Sequence, residues 1–148
     1  MNRDFVEMLS ALFEAGAEYL VVGAHAMAAH GVPRATGDLD IWVRPVPANA
    51  QRVRTALARF GAPLHDLSVD DLMREDMVFQ IGVPPARIDI LTSISAVPFD
   101  EAWPERLTVQ IGALPVPVLG RAQFLKNKRA VGRPKDLADI ALMEELET

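Results

Sequence analysis

Residues 37–43, Gly-Asp-Leu-Asp-Ile-Trp-Val, set two carboxylates two positions apart in a run that is otherwise apolar. Such a short run of bulky apolar residues predicts a β-strand, and in a strand residues i and i+2 share a face. Asp38 and Asp40 therefore aim the same way, while Leu39 and Ile41 face a core. Two like charges so placed raise each other's pKa unless a cation lies between them. The strand must border a core on one side and a source of positive charge on the other. Arg34, Arg44 or Arg87 would supply that charge in a structural network; a divalent metal would supply it in a reactive site.

A third acid lies in a similar setting. Asp89 stands between Ile88 and Ile90, in a second strand-like run that could lie beside the first. Carboxylate oxygens suit hard cations such as Mg²⁺ or Mn²⁺. Three of them on adjoining strands form the half-cage that two metal ions need in phosphoryl transfer.

The rest of the chain reads as alternating helices and strands. Phe5, Met8, Leu9, Leu12 and Phe13 follow helical spacing and stop at Gly16. Residues 19–22 predict a strand ending at Gly23, and 24–30 a helix closed by Gly31 and Pro33. Residues 39–43 are the second strand, and Pro47 opens a third helix running toward Gly61. Ser68 and Asp71 have the spacing of a capping box for a short helix. Residues 77–83 and 86–91 predict an antiparallel hairpin joined through Pro84-Pro85. Residues 98–105 have no clear period. Residues 107–111 and 116–118 read as short edge strands, and two final helices are split at Gly132-Arg133-Pro134. This pattern predicts one α/β (α+β) domain over 1–148, with a mixed-sheet core to about 118 and a helical wall from about 119.

Composition narrows the function. There is no cysteine, which excludes disulfides, thiolate catalysis and cysteine-ligated metals. The first ten residues hold no apolar run of the kind a secretory signal needs, and no segment approaches a membrane-spanning length, so the cytoplasm is the expected location. The net charge of -5 hides an asymmetry: residues 121–135 hold six Lys/Arg and no acid, leaving nine basic against twenty acidic side chains elsewhere. Wrapping of duplex DNA does not fit that balance, whereas a local anion site or a solvated helix end does. His25 and His30 are five residues apart and fall on different sides of a helix, so they form no metal pair. Trp42 and Trp103 read as core or rim residues.

Three of these pieces together, Val22-Gly23-Ala24, then Asp38-Leu39-Asp40 after thirteen residues, then Asp89, form a pattern. It resembles the DNA polymerase β-like nucleotidyltransferase superfamily, whose signature is a hydrophobic strand, Gly-Gly or Gly-Ser, a spacer, Asp-x-Asp/Glu and a later strand aspartate. The departure is Ala24, which keeps an amide donor but offers no hydroxyl to a phosphate. The stretches GVPRATGDLDIWV and FLKNKRAVGRPKDLADIALM are further similar to a bacterial subgroup of AbiEii-type toxins and minimal nucleotidyltransferases.

The resemblance implies a mixed twisted sheet flanked by helices. It also implies transfer of an NMP group from an NTP to a hydroxyl on tRNA, a protein or a small molecule. Asp38, Asp40 and Asp89 would hold Mg²⁺, with Mn²⁺ as a substitute, and Asp89 would help deprotonate the acceptor. The Gly23 and Ala24 amides would hold phosphate oxygens, with Arg34 and Thr36 as phosphate or acceptor contacts. Lys126, Lys128 and Arg133 would offset charge on the leaving pyrophosphate, unless they pair with the acidic last helix. A toxin-like role would bring a cognate antitoxin as partner, and neither a membrane nor duplex DNA is expected. The rivals are a non-catalytic nucleotide-binding or regulatory module with a decayed site, and a structural or partner-binding domain in which arginines satisfy the aspartates.

Overall fold

A computed structural model describes residues 1–32 and 37–146. Helix α1, Arg3–Glu14, is capped by the Asn2 side chain, which accepts from the Asp4 backbone N–H at 2.7 Å. Phe5, Met8, Leu9 and Leu12 are buried as their spacing predicts. Phe13 is 52% exposed, and Ala11 takes the inward position instead. Strand β1, Tyr19–Val22, is followed without a loop by α2, Gly23–Ala29, and then by β2, Leu39–Val43, and α3, Pro47–Phe60. The Ser68 and Asp71 side chains each accept the other's backbone N–H, so the expected capping box opens a single 3₁₀ turn, Asp71–Met73.

Strands β3, Val78–Ile81, and β4, Ile88–Leu91, form the expected antiparallel hairpin, with a cis Pro84-Pro85 bond in its turn. The ambiguous stretch becomes α4, Phe99–Ala102, and a 3₁₀ turn. A second hairpin joins β5, Leu107–Ile111, to β6, Leu114–Val118, before α5, Arg121–Val131, and α6, Pro134–Glu145.

The six strands form one mixed sheet in the order β3-β4-β2-β1-β6-β5. Here β6 departs from its expected edge position, since it lies between β5 and β1. It can do so despite Pro115 and Pro117 because it meets β1 in parallel only at Val118, opposite Val21, beyond both prolines. Apolar burial of Val116 and Val118 draws this end of the hairpin inward.

Alternation divides β2 between the two faces of the sheet. Leu39, Ile41 and Val43 are fully buried. The same face carries Tyr19, whose hydroxyl donates to the Leu9 carbonyl at 3.5 Å, so α1 lies there with α3 packed against it. Asp40 and Trp42 point to the other face, where Trp42 meets the Phe99 ring of α4 edge-on at 4.9 Å. The carboxylates therefore sit on a sheet whose opposite face is a close-packed apolar core, which holds their backbone in place.

Candidate active site

Register, not sequence proximity, assembles the acids. Strands β2 and β4 are parallel neighbours with Asp40 opposite Asp89, so both side chains leave the same face of the sheet. The row continues outward through Val22 on β1 and Gln80 on β3. Asp38 lies one residue before β2 and joins the cluster through Arg87. Asp40 and Asp89 are in direct hydrogen-bond contact. The three acids that spacing predicted to converge do so.

Arg87, immediately before β4, occupies two of them. Its Nε donates to Asp89 Oδ1 at 2.8 Å and its Nη2 to Asp89 Oδ2 at 3.2 Å. The same Nη2 lies 3.3 Å from Asp38 Oδ2, while the Arg87 backbone N–H donates to Asp38 Oδ1 at 3.0 Å. This bidentate fork is the strongest geometry available to an arginine and a carboxylate. Asp40 receives no such partner among the described residues. Burial, then the charge and hydrogen bond of Asp89 and the charge of Asp38, push its pKa up to about 6, with Arg87 opposing only in part.

Asp40 is also fixed from the side of β1. A β-carbon at Gly23 would overlap Asp40 Oδ2, and Gly23 has φ +69°, where side chains are disfavoured. Sequence reading assigned Gly23 to a phosphate turn. The structure adds a second reason for a glycine there: it makes room for the carboxylate. Ala24 follows in the first turn of α2, and Arg34 and Thr36 lie outside the described residues.

The three C-terminal cations are spent in ion pairs. Lys126 Nζ lies 2.7 Å from Glu101 on α4. Lys128 Nζ lies 3.2 Å from Asp136 and 3.3 Å from Asp139, and Arg133 Nε lies 2.7 Å from Asp136. Asp136 is wholly buried, and hydrogen bonds from Arg133 and then Lys128 hold its carboxyl well below the usual range. Lys128 and Arg133 thus make the pairing with the last helix that the sequence reading weighed against a phosphate role, Lys126 pairs with α4 instead, and none of the three touches the acid cluster.

His25 packs edge-on against Phe5 at 5.5 Å between ring centres, and burial lowers its pKa. His30 Nε2 lies 2.8 Å from the Leu119 carbonyl oxygen. The two histidines thus have separate local roles. Trp42 is core and Trp103 stacks on Phe99. Two residues beyond Asp40 on the same face, a cavity of about 500 Å³ opens, lined by Trp42, Arg44, Thr92 and Phe99 among others. Sequence reading passed over Gln80 and this cavity. For Gln80 the available signal was a polar residue alternating with Phe79 and Ile81.

The donor set suits a hard divalent cation in chemistry: three carboxylates, one of them partly buried and only partly compensated by Arg87. As the side chains stand, no group of three His, Asp or Glu among the described residues is arranged to hold a metal ion. Arg87 lies against both oxygens of Asp38 and of Asp89. Withdrawal of that one side chain frees the guanidinium-bound oxygens.

No protein-family model and no curated protein matches the chain. Among solved structures, a Thermotoga maritima protein provisionally described as a nucleotidyltransferase superposes with a TM-score of 0.62 at 17% sequence identity, over 98% of this chain and 91% of that one. At that identity the likeness speaks to architecture, and it agrees with the mixed sheet that the sequence pattern predicts. The chain has a nucleotidyltransferase-like fold.

Proposed function

We propose that the chain transfers a nucleotidyl group from an NTP to an acceptor hydroxyl, on the sheet face that carries Asp38, Asp40 and Asp89. One observation carries this reading: Asp40 and Asp89 stand in register on neighbouring parallel strands, their carboxyls in contact, with no ion pair to Asp40 among the described residues and the charge of Arg87 offsetting it only in part. Carboxylates crowded in this way reduce stability and are kept where they serve chemistry. The fold supports the assignment.

In this reading Asp38, Asp40 and Asp89 hold a divalent metal, which when bound would offset triphosphate charge and make the acceptor hydroxyl easier to deprotonate. Asp89 takes the hydroxyl proton as the acceptor oxygen bonds to the α-phosphorus and the bond to pyrophosphate breaks. The fixed sheet keeps Asp40 and Asp89 aligned, so little reorganisation accompanies the reaction. The amides of Gly23 and Ala24, where β1 turns into α2, are the proposed phosphate donors, with Arg34 and Thr36, just before Asp38 in sequence, as phosphate or acceptor contacts. Lys128 and Arg133 act at a distance, holding the α5–α6 wall together.

Incubation with each labelled NTP, Mg²⁺ and cell extract should yield a labelled RNA, protein or small molecule, identifying the acceptor. Asp40→Asn and Asp89→Asn should each abolish that label. Label that survives both substitutions refutes the site.

The Arg87 fork favours a second reading, in which the aspartates form a structural ion-pair network. Titration with Mn²⁺ separates the two, because a purely structural network has no affinity for the ion.

A further inference from the structure

Four carboxylate oxygens belong to Asp38 and Asp89, and an N–H of Arg87 lies against every one of them. The guanidinium takes Asp89 Oδ1 at 2.8 Å, Asp89 Oδ2 at 3.2 Å and Asp38 Oδ2 at 3.3 Å. The backbone N–H takes Asp38 Oδ1 at 3.0 Å. Three of these contacts depend on a side chain that is 27% exposed. The fourth is main chain, and would hold Asp38 in place if the guanidinium left. Asp40 is the member of the cluster that Arg87 does not bind, and it is pinned by the close approach of Gly23.

From this we propose that Arg87 is the built-in counter-cation of the acid cluster, a positioning residue whose guanidinium must release Asp38 and Asp89 before a divalent cation can take them. The inference deepens the nucleotidyl-transfer reading and rests on it. A metal needs carboxylate oxygens at about 2.0–2.6 Å, which the N–H groups now hold, and two cations cannot share those oxygens without strong repulsion. The arginine keeps the carboxylates oriented while no metal is bound, and its departure is coupled to metal entry. Cation affinity is then a difference: what the carboxylates offer the metal, less what they lose in the fork. Removing the guanidinium should tighten metal binding even though it removes a stabilising contact from the metal-free protein.

The position of Arg87 in the chain supports a movable role. It precedes β4, so its backbone is tied to β2 by the Leu39 N–H donating to its carbonyl at 2.9 Å, while its side chain reaches forward over the strand. Arg44 illustrates the contrast. It is locked between Glu18 and Asp100 and over the Phe99 ring, away from the acid row.

The test compares Mn²⁺ binding, followed by the electron paramagnetic resonance of the free ion, for the full chain and for Arg87→Gln and Arg87→Lys. Arg87→Gln should bind at least about tenfold more tightly than the parent, equivalent to about 1.4 kcal/mol, with Arg87→Lys between them. In EDTA, Arg87→Gln should melt below the parent, and saturating Mn²⁺ should reverse that order. Equal or weaker Mn²⁺ binding by Arg87→Gln, with the parent still binding, overturns the counter-cation role and leaves the metal site standing. Absence of Mn²⁺ binding in all three proteins overturns the metal site, and this inference with it.

A readout on the unmodified chain removes dependence on the folding of any variant. In ¹⁵N spectra the Arg87 Nε–H should exchange slowly in EDTA, and faster in step with added Mg²⁺. An Arg87 Nε–H that stays protected at saturating Mg²⁺ refutes the release.

Discussion

Gly23 and Asp40 illustrate how one backbone position can decide the placement of a functional group on another strand. Val22 lies opposite Asp40 across β1 and β2, so the next residue passes directly beside the carboxyl. With a β-carbon there, either Asp40 turns away or the β1–α2 junction shifts, and the positive φ adds strain of its own. Gly23→Ala should therefore destabilise by about 1–3 kcal/mol. In an Asp40→Ala background the overlap is gone and only the conformational part should remain. A double-mutant cycle measured by urea unfolding checks this: coupling of at least about 0.5 kcal/mol is expected, and strict additivity would show that the two residues do not press on each other. The presence of a glycine was legible in the sequence, but its contact with Asp40 was not, because that contact depends on strand pairing.

At the scale of elements, the last two helices show a basic run acquiring a structural role. Gly132, at φ +67°, ends α5, and at the start of α6 the Asp136 side chain accepts the Arg133 backbone N–H at 3.1 Å and its Nε–H at 2.7 Å. The reversal brings Lys128 against Asp136 and Asp139. Lys128, Arg129 and Arg133 of the basic run 121–135 are thus paired with acids that follow it, and the pairs of Lys128 and Arg129 depend on how the chain folds back at the glycine. Lys128→Ala leaves buried acids short of a partner, so its loss of stability should clearly exceed that of Arg3→Ala. Arg3 makes an exposed pair with Glu7 on α1, of a kind worth at most about 1 kcal/mol. Thermal melts of the two variants side by side decide the matter, and equal effects would mean that the α5–α6 pairs contribute no more than surface contacts.

The molecule as a whole is more legible in its parts than in their assembly. Every strand expected from apolar runs exists, because a short apolar run between turn residues leaves few alternatives. The β3–β4 hairpin followed from local pattern, but the order of the other strands did not. That β6 would lie beside β1, or that β2 and β4 would run parallel with Asp40 opposite Asp89, depends on long-range packing. The aspartates stood out in the sequence because polar residues inside apolar strands break the local rule, and such breaks gather at functional sites. The full reach of Arg87 was less visible. Its spacing from Asp89 places both on one face, but its hold on Asp38 needs the parallel pairing.

The acid cluster also sets how the stability of the whole molecule responds to pH when no metal is bound. Asp40 has its pKa raised from 3.8 to about 6, so between these values the folded state holds a proton that the unfolded chain has released. Stability must fall as pH rises through that window. Below about pH 4 both states are protonated and the penalty vanishes; above about pH 6 it is fully present. The rise corresponds to about 3 kcal/mol at face value, and to about 1–2 kcal/mol once solvent screening of a partly exposed carboxyl is counted. Asp40→Asn cannot ionise, so its melting temperature in EDTA should match the parent near pH 4 and exceed it by a few degrees at pH 7.5. The same variant should lose nucleotidyl transfer entirely. A gain in stability alongside a loss of activity is the behaviour of a group kept for chemistry. Parallel melting curves for the two proteins from pH 4 to 7.5 would show instead that Arg87 already balances Asp40, and that the cluster is a structural ion-pair network.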